Sequence, residues 1–65
     1  MKTVLHLVRP NATPAVVAER DWVVYLQPMR LVQGGVPHTA PFPLGPVDHD
    51  QVVALAFAAD LVVTW

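Results

Sequence analysis

The sequence contains neither cysteine nor serine in its 65 residues. Without cysteine, the chain has no disulfide, no thiolate ligand for a metal ion and no thiol nucleophile. Without serine it also lacks a common hydroxyl nucleophile, and no threonine forms a recognisable pair with a general base. We therefore favour a protein that is not an enzyme, and we expect no cofactor.

Charged residues are also scarce, at 14% of the chain, whereas an average soluble domain carries about 25%. Four basic and five acidic residues give a net charge of −1. The basic residues are scattered singly along the chain, so they do not form the patch that neutralises the phosphates of a nucleic acid. We expect no nucleic-acid partner.

Apolar residues make up 54% of the chain. A domain of this size buries only about 60% of the surface that its unfolded chain exposes. Because so few charged residues are present to cover the remaining surface, the composition predicts association into a homo-oligomer.

No apolar run is long enough to cross a membrane. The longest uninterrupted run covers residues 52–59, whereas a spanning helix needs about 20 residues. The N-terminal residues also lack the pattern of a secretory signal peptide. We expect a cytoplasmic protein without a membrane partner.

The order of apolar segments and helix signals predicts a single small α/β domain over residues 1–65. Three segments rich in β-branched residues are typical of strands: residues 3–8, 22–26 and 61–65. Two helices are predicted, over residues 14–20 and 48–59. The order β-α-β-loop-α-β predicts a three-stranded, mainly parallel sheet. An added hairpin around Gly34 and Gly35 stays open, since the apolar residues beside them suit either a hairpin or an irregular loop.

Capping residues indicate where both predicted helices begin. Thr13 offers a side-chain oxygen at the N-cap, and Pro14 follows at the position where its missing N–H is not needed. Asp48, followed three residues later by Gln51, matches a capping box. Asp60 ends the second helix, and we expect its carboxylate to accept a hydrogen bond from a neighbouring segment.

Polar residues that follow the predicted strands form a candidate ligand site. Ligands of open α/β sheets bind at the carboxyl ends of the strands. The residues there are Arg9, Asn11, Gln27 and Arg30. Arginine and the free N–H groups of a helix start attract small anions, so a small anionic ligand is expected if this site is used. The competing interpretation treats Arg9 and Arg30 as solvated loop or interface charges.

The histidines do not predict a metal site within one chain. His6 lies among the apolar residues of the first predicted strand, which is typical of a core histidine with one satisfied nitrogen. Asp48, His49 and Asp50 carry suitable ligand atoms, but consecutive helical residues point about 100° apart and do not converge. Helix capping explains both aspartates without a metal.

The second predicted helix is apolar around most of its circumference, so we expect it to be buried on two sides, against its own sheet and against a neighbouring subunit. With the final strand it predicts an oligomer interface. The predicted interface residues are Val52, Leu55, Ala56, Phe57, Val63 and Trp65.

Residues 52–65 resemble the last helix and strand of DsrE-like sulfur-relay proteins (the DsrE, DsrF and DsrH group). In that family an apolar helix ends in an acidic residue before a strand that closes on an aromatic residue. Residues 4–8 are similar to the first strand of the family. The resemblance implies a small α/β fold, assembly into dimers, trimers or larger oligomers and, in some members, persulfide transfer through cysteine. The present chain is about one strand-helix unit shorter and has no cysteine, so the resemblance implies a non-catalytic member and assigns no functional residue.

The sequence thus predicts a non-enzymatic assembly or interaction protein, which forms a homo-oligomer through its apolar helix and final strand. One alternative is a subunit that binds a small anion or metabolite. The other is a cysteine-free structural partner in a complex of the sulfur-relay type.

Overall fold

The computed structural model describes residues 2–65, which form five strands and one helix. In chain order the elements are β1 (Val4–Val8), β2 (Trp22–Leu26), β3 (Met29–Gly34), β4 (Gly45–Pro46), α1 (His49–Ala58) and β5 (Leu61–Thr64). The strands form a single sheet in the order β4-β3-β2-β1-β5. β1 pairs in parallel with β2 and β5, whereas β3 pairs antiparallel with β2 and β4.

The predicted fold class is wrong: the sheet is mixed and five-stranded, and a single helix accompanies it. The two additional strands come from the segment between β2 and α1. The chain turns at Gln27–Pro28, and Leu26 pairs with Met29 across this two-residue turn. The hairpin is therefore centred before Met29, and Gly34 marks the end of β3 instead of the middle of a turn.

The first predicted helix, over residues 14–20, does not form. Val16 and Val17 are β-branched, which lowers helix propensity. Side chains from outside the segment also take its backbone groups. The Ala18 N–H donates to the Asp21 carboxylate at 3.0 Å, and the Ala18 carbonyl accepts from the Gln33 amide at 2.9 Å. These bonds replace the helical ones, so an irregular crossover joins β1 to β2.

The second predicted helix is confirmed as α1. The Asp48 side chain accepts from the Gln51 N–H at 2.8 Å, and the Gln51 side chain accepts from the Asp48 N–H at 2.9 Å. This reciprocal pair satisfies two of the N–H groups that a helix start leaves free. α1 buries Val52 and Leu55 against one face of the sheet.

The two faces of the sheet are covered differently. Leu5, Val24 and Leu31 join the buried residues of α1 in an apolar core. Successive residues of a strand point to opposite faces, so His6 and Val8 lie on the other face, under the irregular crossover. Gln33 fixes this crossover through bonds from its amide to the Ala18 and Asp21 carbonyls.

None of the helical structure in residues 2–65 has the length and apolar character needed to cross a membrane.

Candidate functional site

The carboxyl ends of β1 and β2 lie at the same edge of the sheet, as predicted for parallel strands. A cavity of about 320 Å³ at this edge is lined by residues 9–12, so the structure brings Arg9 and Asn11 together. The Arg9 guanidinium is held in place, because its Nε donates to the Trp65 carbonyl at 2.7 Å. The Arg9 backbone N–H reaches the same oxygen at 3.3 Å.

The other two residues of the predicted anion site do not line this cavity. Gln27 is exposed in the turn between β2 and β3. Arg30 is an exposed residue of β3, where it pairs with Tyr25 on one side and Pro46 on the other. The turn at Gln27–Pro28 leads the chain back into the sheet, so Arg30 belongs to β3, which β2 separates from β1.

A buried polar network joins three separate segments on the crossover face of the sheet. The His6 Nε2 lies 2.8 Å from the Asp21 carboxylate, and the Trp65 indole N–H donates to His6 Nδ1 at 2.9 Å. An indole N–H is only a donor, so Nδ1 must be the acceptor and Nε2 carries the ring hydrogen that it donates to Asp21. Both ring nitrogens are thus satisfied, one more than the sequence predicts.

The electrostatics of this network favour an ionised Asp21. Burial raises the pKa of the Asp21 carboxyl, but the hydrogen bonds from His6 and from the Ala18 amide lower it, as does the neighbouring charge of Arg20. The net pKa lies below the ordinary value of 3.8. An ionised, hydrogen-bonded carboxylate beside a histidine keeps the imidazole oriented.

The network joins β1, the residue before β2 and the residue after β5, and it uses both ring nitrogens of His6. A histidine–carboxylate pair activates a nucleophile only when a hydroxyl or thiol lies within hydrogen-bond reach, and here the second nitrogen of His6 is occupied by Trp65. Asp21 was not predicted as part of a site. The signal that could have suggested the pair is an acidic residue directly before an apolar strand, in a chain with a histidine inside another strand.

The six predicted interface residues lie in different environments. Val52 and Leu55 are buried in the core of their own subunit, and Ala56 is half-buried beside them. Phe57 is exposed. Val63 and Trp65 are half-buried on the face that carries His6. Their role as interface residues stays a prediction.

Of the nine large apolar side chains that are exposed within residues 2–65, four lie on α1 and β5. Phe57 is 87% exposed and Val53, one helical turn before it, is 49% exposed. Leu61 and Val62 at the start of β5 are exposed as well. We call these four residues the apolar surface. It contains no charged side chain.

β5 forms one edge of the sheet, and its outer side has no strand beside it within residues 2–65. The nearest charged residue, Asp60, is turned back toward the protein. Its carboxylate accepts from the Thr3 N–H at 2.7 Å, which confirms the bond predicted for it. Charged side chains, proline and bulges are the usual protection of an edge strand. Leu61–Thr64 has none of the three.

Comparison with known proteins adds no relative. No protein-family model matches the sequence, and neither a curated protein nor a solved structure matches it. The resemblance to DsrE-like proteins therefore stays a prediction.

Proposed function

We propose that this protein is a non-enzymatic assembly subunit, which forms a homo-oligomer through the apolar surface and the open edge of β5. The observation that carries the proposal is the exposure of Phe57, 87% of whose surface faces solvent in the single subunit. Burying a phenylalanine side chain stabilises an association by about 1.5–3 kcal/mol. Val53 is exposed one helical turn before Phe57, and exposed Leu61 and Val62 lie on the two faces of the edge strand β5.

A second copy of the chain is the occupant that fits this surface best. Two copies of an uncharged surface meet without repulsion between like charges. An edge strand also offers N–H and C=O groups in the arrangement that another edge strand needs. A two-fold contact between identical surfaces closes on itself, and such dimers are the commonest oligomers.

The substitution Phe57→Glu tests this proposal. Glutamate is a good helix former, so α1 should persist while the centre of the apolar surface becomes charged. Sedimentation should show a multiple of the 7.1 kDa subunit mass for the natural sequence and the subunit mass for the variant. Val16→Glu is the matched control, because Val16 is 76% exposed but lies in the crossover, outside the apolar surface.

Equal assembly of the natural sequence and Phe57→Glu would contradict the proposal. So would dissociation by Val16→Glu to the same extent, since general loss of apolar surface would then explain both results.

A second candidate function, binding of a small anion, is supported by the cavity at residues 9–12. The Arg9 side chain is already held by its hydrogen bond to the Trp65 carbonyl. Binding of an anion would therefore cost less conformational entropy than at a mobile arginine. Asn11 supplies an amide donor at the same cavity.

Titration with inorganic phosphate, followed by NMR chemical shifts of the Arg9 and Asn11 amides, tests this second function. Asn11→Ala should weaken binding several-fold, while Arg30→Ala should leave it unchanged because Arg30 lies outside the cavity. Shifts that are absent, or that Arg30→Ala abolishes, would contradict it.

A further inference from the structure

The hydrogen bonds between β1 and β5 determine which backbone groups β5 presents to its outer side. The Leu61 N–H donates to the Thr3 carbonyl at 3.2 Å, and the Trp65 N–H donates to the Leu7 carbonyl at 2.9 Å. Val63 lies opposite His6 in the parallel register and midway between Leu61 and Trp65, so its backbone groups point to the same side as theirs. Leu61, Val63 and Trp65 therefore direct their backbone groups toward β1.

The residues between them point the other way. In a parallel strand the N–H and C=O of one residue lie on the same side, and successive residues alternate between the two sides. Val62 and Thr64 accordingly present their N–H and C=O groups at the open edge of the sheet. Each subunit thus offers two outward donors and two outward acceptors, and both residues are exposed.

We propose that β5 pairs antiparallel with β5 of a second copy, with Val63 opposite Val63 on the two-fold axis. The inference rests on the proposed function and specifies the geometry of the same surface. In this register Val62 of each copy lies opposite Thr64 of the other. The result is a continuous ten-stranded sheet across the dimer.

This register satisfies every outward group. Residues that lie opposite each other as a hydrogen-bonded antiparallel pair exchange both of their N–H···O bonds. Val62 and Thr64 form two such pairs across the dimer, which use all outward donors and acceptors of both copies. Placing Val62 on the axis would set Asp60 opposite Thr64. The Asp60 N–H already donates to the Thr3 carbonyl at 2.8 Å, so that register leaves groups unpaired.

The side chains agree with the same register. Leu61 lies opposite Trp65 on the face that carries His6, an apolar residue against an aromatic ring. Val62 lies opposite Thr64 on the α1 face, where β-branched residues pair well across strands. No pair across the interface places a charge beside an apolar side chain.

The opposite edge of the sheet is a poor partner for β5. The Val47 N–H donates to the Met29 carbonyl at 3.1 Å, and Gly45 pairs with Leu31. The backbone groups of residues 45 and 47 therefore point toward β3. Pro46 is therefore the outward residue, and proline has no N–H to donate. Pairing of β5 with β4 would leave outward acceptors of β5 without donors, so a closed β5–β5 dimer is favoured over an open chain of subunits.

Disulfide trapping of single-cysteine variants tests the register. The chain has no natural cysteine, so each variant carries one thiol per subunit. Val63→Cys places two thiols at a non-hydrogen-bonded antiparallel pair with Cα atoms about 4.5 Å apart, within the range of about 4.4–6.8 Å that a disulfide spans. Oxidation should convert most of this variant to a covalent dimer.

Val62→Cys and Thr64→Cys are the matched controls. In a dimer of either variant alone, the two cysteines lie at diagonal positions about 7–8 Å apart, which is too far for an unstrained disulfide. Mixed together, the two variants should form a covalent heterodimer, since Val62 lies opposite Thr64. Trapping of Val62→Cys alone, with no trapping of Val63→Cys, would overturn the register.

A backbone substitution provides an independent readout. Val62→Pro removes an N–H that the single subunit does not use, so pairing of β5 with β1 should survive in the circular dichroism spectrum. Each dimer loses two hydrogen bonds, and its dissociation constant should rise about 10- to 100-fold. An unchanged dissociation constant would overturn the inference.

The two proposals fail in different ways. If Phe57→Glu dissociates the oligomer while Val63→Cys is not trapped, the assembly function stands and the register is wrong. If the natural sequence sediments as a single subunit at every concentration, both are wrong.

Discussion

The two edges of the sheet are built in opposite ways. β4 is two residues long, and its outward residue is Pro46, which cannot donate a hydrogen bond. β5 is four residues long and has two outward residues, each with a backbone donor and acceptor for which residues 2–65 provide no partner strand. Its side chains are uncharged. One edge is protected against pairing with other chains and the other is open.

The difference extends to how firmly each edge strand is attached on its inner side. β4 pairs with β3 at two positions only. β5 pairs with β1 at four positions, and bonds at both of its ends add to these. Asp60 binds the Thr3 N–H before the strand, and Trp65 binds His6 and Arg9 after it. An open edge strand that is held firmly suits a binding surface, because its association loses little conformational entropy.

The largest effect should follow from breaking the attachment of β5 at His6. His6→Leu removes both ring nitrogens, which leaves the buried Asp21 carboxylate with the Ala18 amide alone and the Trp65 N–H without its acceptor. Leaving a buried hydrogen-bonding group without its partner costs about 1–3 kcal/mol, and more when the group is charged, as the Asp21 carboxylate is.

Urea unfolding followed by tryptophan fluorescence measures this loss of stability. His49→Leu is the control, since His49 is exposed at the start of α1. A loss below about 1 kcal/mol for His6→Leu would show that the network contributes little to the attachment.

The same attachment should weaken in acid. The folded-state pKa of Asp21 is depressed below 3.8, so its ionised form stabilises the fold above that value. This stability is lost as the pH falls through the lower folded-state pKa. Between about pH 5 and about pH 2 the natural sequence should lose more stability than Asp21→Asn, which does not titrate. Parallel pH profiles of the two proteins in urea unfolding would contradict the assignment.

The smallest effect should come from opening the protected edge. Pro46→Val adds one outward donor to β4 and should permit contacts beyond the dimer at high protein concentration. Light scattering measures the added mass, and Pro43→Val, outside any strand, is the control. If Pro46→Val leaves the mass unchanged at all concentrations, proline is not what protects this edge.

Local features of the fold could be predicted from the sequence. The capping box at Asp48 and Gln51 fixes the start of α1 through contacts three residues apart. Runs of β-branched and aromatic residues locate β1, β2 and β5. The carboxylate of Asp60 could also be assigned a hydrogen bond, since a buried or helix-terminal charge needs a partner.

Features that depend on distant residues could not be predicted. The segment of residues 14–20 carries helix-start signals, but Asp21 and Gln33 take its backbone groups. Arg30 and Gln27 follow a strand, as the predicted anion site required, but the hairpin at Gln27–Pro28 directs the chain back into the sheet. Val53 and Phe57 are exposed because α1 turns its other side to the sheet. A helix that is apolar around most of its circumference does not show in its sequence which side that will be.

Sedimentation equilibrium of the natural sequence over a range of concentrations tests the central claim most directly. The claim is that the open edge of β5 and Phe57 bind a second copy. The measurement should give twice the 7.1 kDa mass of the subunit, with dissociation on dilution. A single species of 7.1 kDa at every concentration would contradict the account.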